Sequence, residues 1–189
     1  MPQELLLNNI AKHISLTKEE EVYLLSLFKE KKVKRKHFLL QEGDVLKQAI
    51  FVTNGCLRSY AIDNNGFEHV LQFAPSGWWI SDMTSMLNQQ PATLNIDAVY
   101  DSEVLLLQKT DHERLLTEIP KLERFFRILA ERALAVYQHR LINNMSLSAM
   151  ERYKNFCGLY PSLIEYLPQN KNIPHIKLHK FFYGILVAC

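Results

Sequence analysis

Between Phe38 and Gln108 the chain is cut into short β-prone runs separated by turn residues: FLL, QEGD, AIFV, TNG, CLRSYAI, DNNG, FEHVLQF and APSG. Runs this short, punctuated this often, exclude long helices and favour antiparallel strands. The pairs Asn54-Gly55 and Asn65-Gly66 supply the left-handed backbone that tight hairpin turns need, and their spacing of about 11 residues suits a β-roll or barrel. The stretch WWISDMTSMLNQQP, residues 78 to 91, then interrupts the strands with a polar, helix-prone insertion before TLNIDAVYDSEVLLLQ resumes them. An insertion at one end of a roll is a place where ligands bind.

The flanks have a different texture. In TKEEEVYLLSLFKE, residues 17 to 30, Thr17 stands before three glutamates, and Val22, Leu25 and Phe28 follow at three-residue spacing, which predicts a capped helix with that apolar stripe inward. The basic run from Lys31 to His37 reads either as a solvated edge leading into a strand or as a nucleic-acid patch. Beyond Gln108, Thr110-Asp111 is expected to cap a short helix through Glu118, and Pro120 to open a long one. There Leu122, Phe126, Leu129, Ala133 and Val136 alternate steps of four and three, the repeat of a coiled-coil seam. Phe125, Ile128 and Leu134 add a second flank. One stripe serves the helix's own roll, so the second points to a partner helix and a homodimer. The periodicity breaks near Asn143-Asn144. Ser148 with Glu151 then forms a capping-box pattern for another helix, which Gly158 can end.

Composition narrows the function classes. With 189 residues, 48% hydrophobic, the chain has material for one full-sized core, and a net charge of +2 does not by itself call for nucleic acid or a membrane. No secretory leader pattern and no long apolar span is present, so a cytoplasmic protein without membrane contact is expected. Cys56, Cys157 and Cys189 are far apart with no C-x-x-C pair, which predicts reduced thiols. His175 and His179 lack a third ligand, so no metal site is expected. Neither a nucleophile elbow nor a glycine-rich phosphate loop occurs, and the chain does not read as an enzyme.

The order of pieces resembles the Crp/Fnr transcription regulators, in the version common in Bacteroidetes-type bacteria. The resemblance rests on LLQEGD (39 to 44), IFVTNGCLRSY (50 to 60), HVLQFAPSGWWISD (69 to 82), DSEVLLLQKTDHERLL (101 to 116) and SAMERYKNFCGLYPSLIEYLPQ (148 to 169). It implies an α+β fold: a cyclic-nucleotide-binding-like antiparallel β-roll, a cupin-like double-stranded β-helix or jelly roll, flanked by helices. A dimerisation helix of about 120 to 145 follows, making 1 to 145 a sensor domain, and 146 to 189 the place of a DNA-binding domain. Family members that bind cyclic nucleotides carry a Gly-Glu pair for the ribose and an Arg-Ser or Arg-Thr pair for the phosphate. Those positions hold Ser81-Asp82 and Ala92-Thr93 here. Asp82 could accept from a ribose hydroxyl and Thr93 donate to a phosphate, but Ala92 offers no charge. A charge-assisted contact contributes about 1.5–3 kcal/mol, so no cyclic-nucleotide cofactor is expected. Another small-molecule effector at Trp79, Ser81, Asp82, Met83 and Thr93, with Trp78 and Trp79 as walls, and a ligand-free structural roll both stay open.

The family's helix-turn-helix should follow LPQ almost at once. Residues 170 to 189, NKNIPHIKLHKFFYGILVAC, show no glycine-centred turn between two helical stripes and no polar face for base edges, so no DNA-binding residue is identifiable. A reading-frame shift after Gln169 would leave such an abrupt change, with the tail poorly ordered or resting on the helix of Met150 to Phe156. Two functions follow: a dimeric regulator whose DNA reader is lost, or a stand-alone ligand-sensing or dimerising module without DNA binding.

Overall fold

The computed structural model describes residues 1–160. Helices α1 (Pro2–Ala11) and α2 (Lys18–Leu27) precede strands β1 (Phe28–Val33), β2 (Phe38–Leu40), β3 (Gln48–Asn54), β4 (Cys56–Ile62), β5 (Glu68–Pro75) and β6 (Trp79–Ile80). Helix α3 (Met83–Asn88) is the insertion, followed by β7 (Asn95–Ala98) and β8 (Ser102–Gln108), then α4 (Lys109–Glu118), α5 (Lys121–Ser146) and α6 (Ala149–Leu159). The strands form two antiparallel four-stranded sheets, ordered β1-β8-β3-β6 and β2-β7-β4-β5. Their inner faces close on Ile50, Val52, Leu57, Ala74, Ile96, Val104 and Leu106. The expected antiparallel β-roll with flanking helices and a long C-terminal helix is therefore present.

Side-chain alternation explains the layers. On β8, Val104 and Leu106 point into the roll, whereas Leu105 and Leu107 point to a helical layer with Phe51, Leu6, Leu24, Leu115, Leu122 and Phe125. The LLL run of β8 is thus buried on both faces. The outer face of the second sheet carries a smaller cluster, Cys56, Tyr60, Val70 and Phe73, covered by Phe156 of α6 and by Tyr160. Burial pushes the Cys56 thiol up to about 12, so it stays protonated and inert at neutral pH.

Four sequence expectations are corrected. The helix expected to Glu30 stops at Leu27, because Phe28 to Val33 pair with Leu107 to Ser102 as an edge strand; the basic run thereby begins inside β1. Val22 faces solvent and Leu24 and Leu27 anchor α2 instead. Helix α4 starts at Lys109 after Gln108, not behind Thr110-Asp111. Asn54-Gly55 is not a hairpin turn: β3 and β4 belong to different sheets, and the turn is the corner between them. Gly55 has φ +88°, and a Cβ there would lie 2.7 Å from Ser102 Cα, so the corner requires glycine. The second turn is a hairpin, joining β4 to β5, with Gly66 at φ +80° and the Asp63 carboxylate accepting from the Asn65 and Phe67 amides.

Other boundaries follow the expected caps. Thr17 Oγ1 accepts from Glu20 N at 3.3 Å while Thr17 N donates to Glu20 Oε2 at 2.6 Å, and Ser148 and Glu151 repeat the arrangement at α6. Pro120 is the N-cap of α5. Helix α6 runs through Gly158 to Leu159, and the expected turn in YPSLIEYLPQ, apart from Tyr160, the histidine pair and the tail beyond Gln169 lie outside the described residues. Among the described residues no helix is long and apolar enough to cross a membrane.

Candidate functional site

The insertion after β6 is held by one carboxylate. Asp82 is 2% exposed; its Oδ1 accepts from Ser85 N at 2.9 Å, capping α3, and its Oδ2 accepts from Thr93 N and Leu94 N at 3.1 and 3.2 Å. A carboxylate has about four acceptor positions, so three backbone amides leave one, on Oδ1, and it is enclosed. Asp82 and Thr93 are thus brought together as expected, but through the Thr93 backbone.

A second set of bonds fastens the insertion to the loop before β3. Ser85 Oγ accepts from Leu46 N at 2.8 Å and donates to the Gln90 carbonyl at 2.7 Å. Gln89, left-handed at φ 52°, donates from Nε2 to the Met86 and Leu46 carbonyls. Ala92 is buried, and its backbone pairs with the Asp44 carbonyl and the Gly43 amide. The position where the family pattern places an arginine is therefore a backbone seam under a methyl group. Asn95, also buried, accepts from Glu42 N at 3.0 Å.

The remaining expected ligand residues separate. Trp79 turns away from the insertion into the helical layer, 5.0 Å from the Phe51 ring and 5.7 Å from Phe126, with Nε1 donating to Asn9 Oδ1. Its neighbour Ile80 points into the roll, so alternation alone sends Trp79 the other way. Trp78 packs on Tyr160 at 6.0 Å. Met83 is exposed on α3, and Thr93 is exposed. Next to Asp82, Ser81 Oγ is buried without a hydrogen-bond partner, as is Asn95 Nδ2. Ser85, Gln89 and Asn95 were not among the expected residues; the Asp82-to-Ser85 spacing is an N-cap signal that points to Ser85.

On the outer face of the second sheet, Arg58 Nε and Nη2 meet Asp97 Oδ1 and Oδ2 at 2.7 and 2.9 Å, and Nη1 meets Glu68 Oε2 at 2.5 Å. Burial alone would lower the Arg58 pKa, but the two carboxylates reverse the effect and raise it. This pair was not read from the sequence, although Arg58 and Asp97 sit opposite one another in the β4–β7 register.

The coiled-coil seam expected on α5 divides. Leu122 is fully buried within its own chain, and Phe126 and Leu129 pack on the same helical layer. Ala133 and Val136 are exposed. The exposed apolar stripe is offset by one residue: Leu134 (60% exposed), Tyr137, Leu141 (63%) and Met145 (82%).

The family model described as the cyclic nucleotide-binding domain matches residues 30–118. A comparison with curated proteins finds no match. Among solved structures, a cyclic nucleotide-binding domain from Methylobacillus flagellatus is 21% identical with a TM-score of 0.63, covering 75% of this chain and 83% of that one. The catabolite activator protein of Thermus thermophilus is 21% identical with a TM-score of 0.60, covering 90% and 77%. The sensor domain of the transcriptional regulator DNR from Pseudomonas aeruginosa is 17% identical with a TM-score of 0.59, covering 77% and 95%. These likenesses establish a fold shared with regulatory binding domains, in line with the resemblance read from the motifs. The matched stretch runs from β1 to α4, so residues 30–118 are similar in sequence to the cyclic nucleotide-binding domain, and the solved structures share its fold.

Proposed function

We propose that the protein is a Crp/Fnr-like regulator of transcription that works as a homodimer in the cytoplasm, with the roll as sensor and α5 as the dimerising element. The observation that carries this reading is the projection of α5 beyond its own roll with Leu134, Tyr137, Leu141 and Met145 on one unpartnered stripe. A solvent-facing stripe at steps of three and four is what a second copy of the same helix would cover. In such a dimer, a change in the roll biases the angle of the helix pair and hence the spacing of whatever follows it.

The sensor is proposed not to take a cyclic nucleotide. Asp82 spends its oxygens on backbone amides and Ala92 gives the phosphate no charge. Calorimetry with cyclic AMP is expected to give no saturable binding at micromolar concentration; saturation there would overturn this assignment. An effector at Ser81, Asp82 and Thr93, with Met83 at the rim, would instead be neutral, since the groups of the roll that are buried without partners among the described residues are Ser81 Oγ and Asn95 Nδ2, the third such group being Arg152 Nε on α6.

A second reading, a sensing or dimerising module without DNA binding, is favoured by NKNIPHIKLHKFFYGILVAC, whose pattern lacks a recognition helix. A gel-shift titration over salt separates the two. Tight, sequence-specific retardation supports the regulator. Retardation that is sequence-independent and lost as salt rises, or none at all, supports the module without a reader.

A further inference from the structure

A cavity of about 350 Å³ lies between the outer face of the second sheet and the two C-terminal helices. Its floor is Val70 and Phe73 of β5, and its walls are Val136 of α5 and Phe156 and Leu159 of α6. That volume falls within the roughly 300–1,000 Å³ of small-molecule sites, and the lining is mostly apolar with a few convergent polar groups, as such sites are. The cavity shares no residue with the insertion around Asp82.

One side chain gives the cleft a chemical preference. Arg140 is half-buried at its edge and has no hydrogen bond or ion pair among the described residues. The contrast is with Arg58 on the same sheet, whose guanidinium is held by Asp97 and Glu68. A guanidinium partly withdrawn from water and left without a counter-charge is a ready acceptor for an anion. Asn143 lies three residues further along α5, on the same side of the helix, and Asn155 faces across from α6, so amide groups flank the same edge. Arg140 also borders a neighbouring hollow of about 240 Å³ that reaches Leu71 and Leu141, which extends the apolar surface beside it.

We propose that this cleft binds a small amphipathic carboxylate, an aryl or short alkyl acid, with Arg140 holding the carboxylate and the Phe73 and Phe156 faces holding the hydrocarbon. A phosphorylated ligand fits less well, because Arg140 is the one permanently charged side chain of the lining, beside His139, and matches a single negative charge. Such a ligand touches β5, α5 and α6 together and would fix α6 against the roll. The proposal does not rest on the chain being a DNA-binding regulator.

The test uses the whole chain with 4-phenylbutyrate and its neutral amide, 4-phenylbutyramide, titrated by calorimetry. The acid is expected to bind saturably and the amide about tenfold or more weakly, as loss of a charge-assisted contact predicts. Arg140→Gln should bring the acid down to the level of the amide, while Lys29→Gln, exposed on β1 of the other sheet, should bind the acid as the wild type does. Equal binding of acid and amide overturns the proposal, and needs no variant to be folded. So does unchanged acid binding by Arg140→Gln, or loss of binding in Lys29→Gln. Absence of saturable binding at millimolar acid also overturns it, whether residues beyond Tyr160 or a second copy fill the cleft.

Discussion

The two halves of α5 carry similar amounts of apolar side chain and use them in opposite ways. From Leu122 to Leu129 the helix is part of its own roll: Leu122 and Phe125 are fully buried, and Phe125 and Phe126 stand edge-on to Trp79. From Ala130 to Ser146 the same helix lies mostly in solvent, with only Val136, Arg140 and their neighbours bordering the second sheet. One stretch of sequence thus serves folding and then, in our account, association. A coiled-coil spacing cannot distinguish the two, because burial depends on what lies opposite.

The largest effect expected of a single substitution is in the first half. Phe125→Ala removes a fully buried ring and should lower unfolding stability by about 3–5 kcal/mol, read by urea denaturation. A loss below about 1 kcal/mol would mean that this half of the helix is not seated on the roll. In the second half, Leu141→Glu should leave the unfolding midpoint of the monomer nearly unchanged yet weaken self-association roughly 30-fold or more, the value of about 2 kcal/mol for a central interface anchor. Equal damage to stability and association would erase the distinction between the halves.

The smallest expected effect is a pH dependence of the contact between α4 and the first half of α5. His112 packs edge-on to Phe126 at 4.5 Å, and burial holds its imidazole below the ordinary value of 6.5. Its folded form therefore binds the proton less readily than its unfolded form. The stability that depends on neutral His112 is present above pH 6.5 and is lost as the pH falls below it. His112→Phe should flatten the melting temperature between neutral and mildly acidic pH. An unchanged slope would assign the acid sensitivity to other groups.

Much of the roll was legible in the sequence because local chemistry and tertiary structure agree there. Gly66 sits in the hairpin its dipeptide predicts, and the Thr17–Glu20 and Ser148–Glu151 caps start their helices. What escaped depends on partners distant in the chain. Strand β1 reads FKEKKV, poor in β-formers, and exists because β8 pairs with it. Asn54-Gly55 has hairpin chemistry, yet Ser102, distant in sequence, crowds Gly55 into a corner between sheets.

The candidate site was legible by position but not by role. Asp82 and Thr93 do meet, but the bonds from the Thr93 and Leu94 amides to Asp82 bridge a loop whose path no local pattern fixes. Replacing Asp82 by alanine would strand three amides, with an expected loss of about 2–3 kcal/mol by thermal or urea unfolding. Near-neutral stability would instead mark the carboxylate as reserved for a ligand. The orientation of Trp79 was recoverable: once Ile80 faces the roll, a strand of two residues leaves Trp79 only the helical side.

The central claim is that the exposed half of α5 joins two copies of this chain. Sedimentation velocity at micromolar concentration, on the wild type and on Leu134→Glu/Leu141→Glu, tests it most directly. We predict a dimer for the wild type and a monomer with an unaltered melting curve for the double variant. A wild-type chain that sediments as a monomer, or a double variant that remains a dimer, would contradict the account.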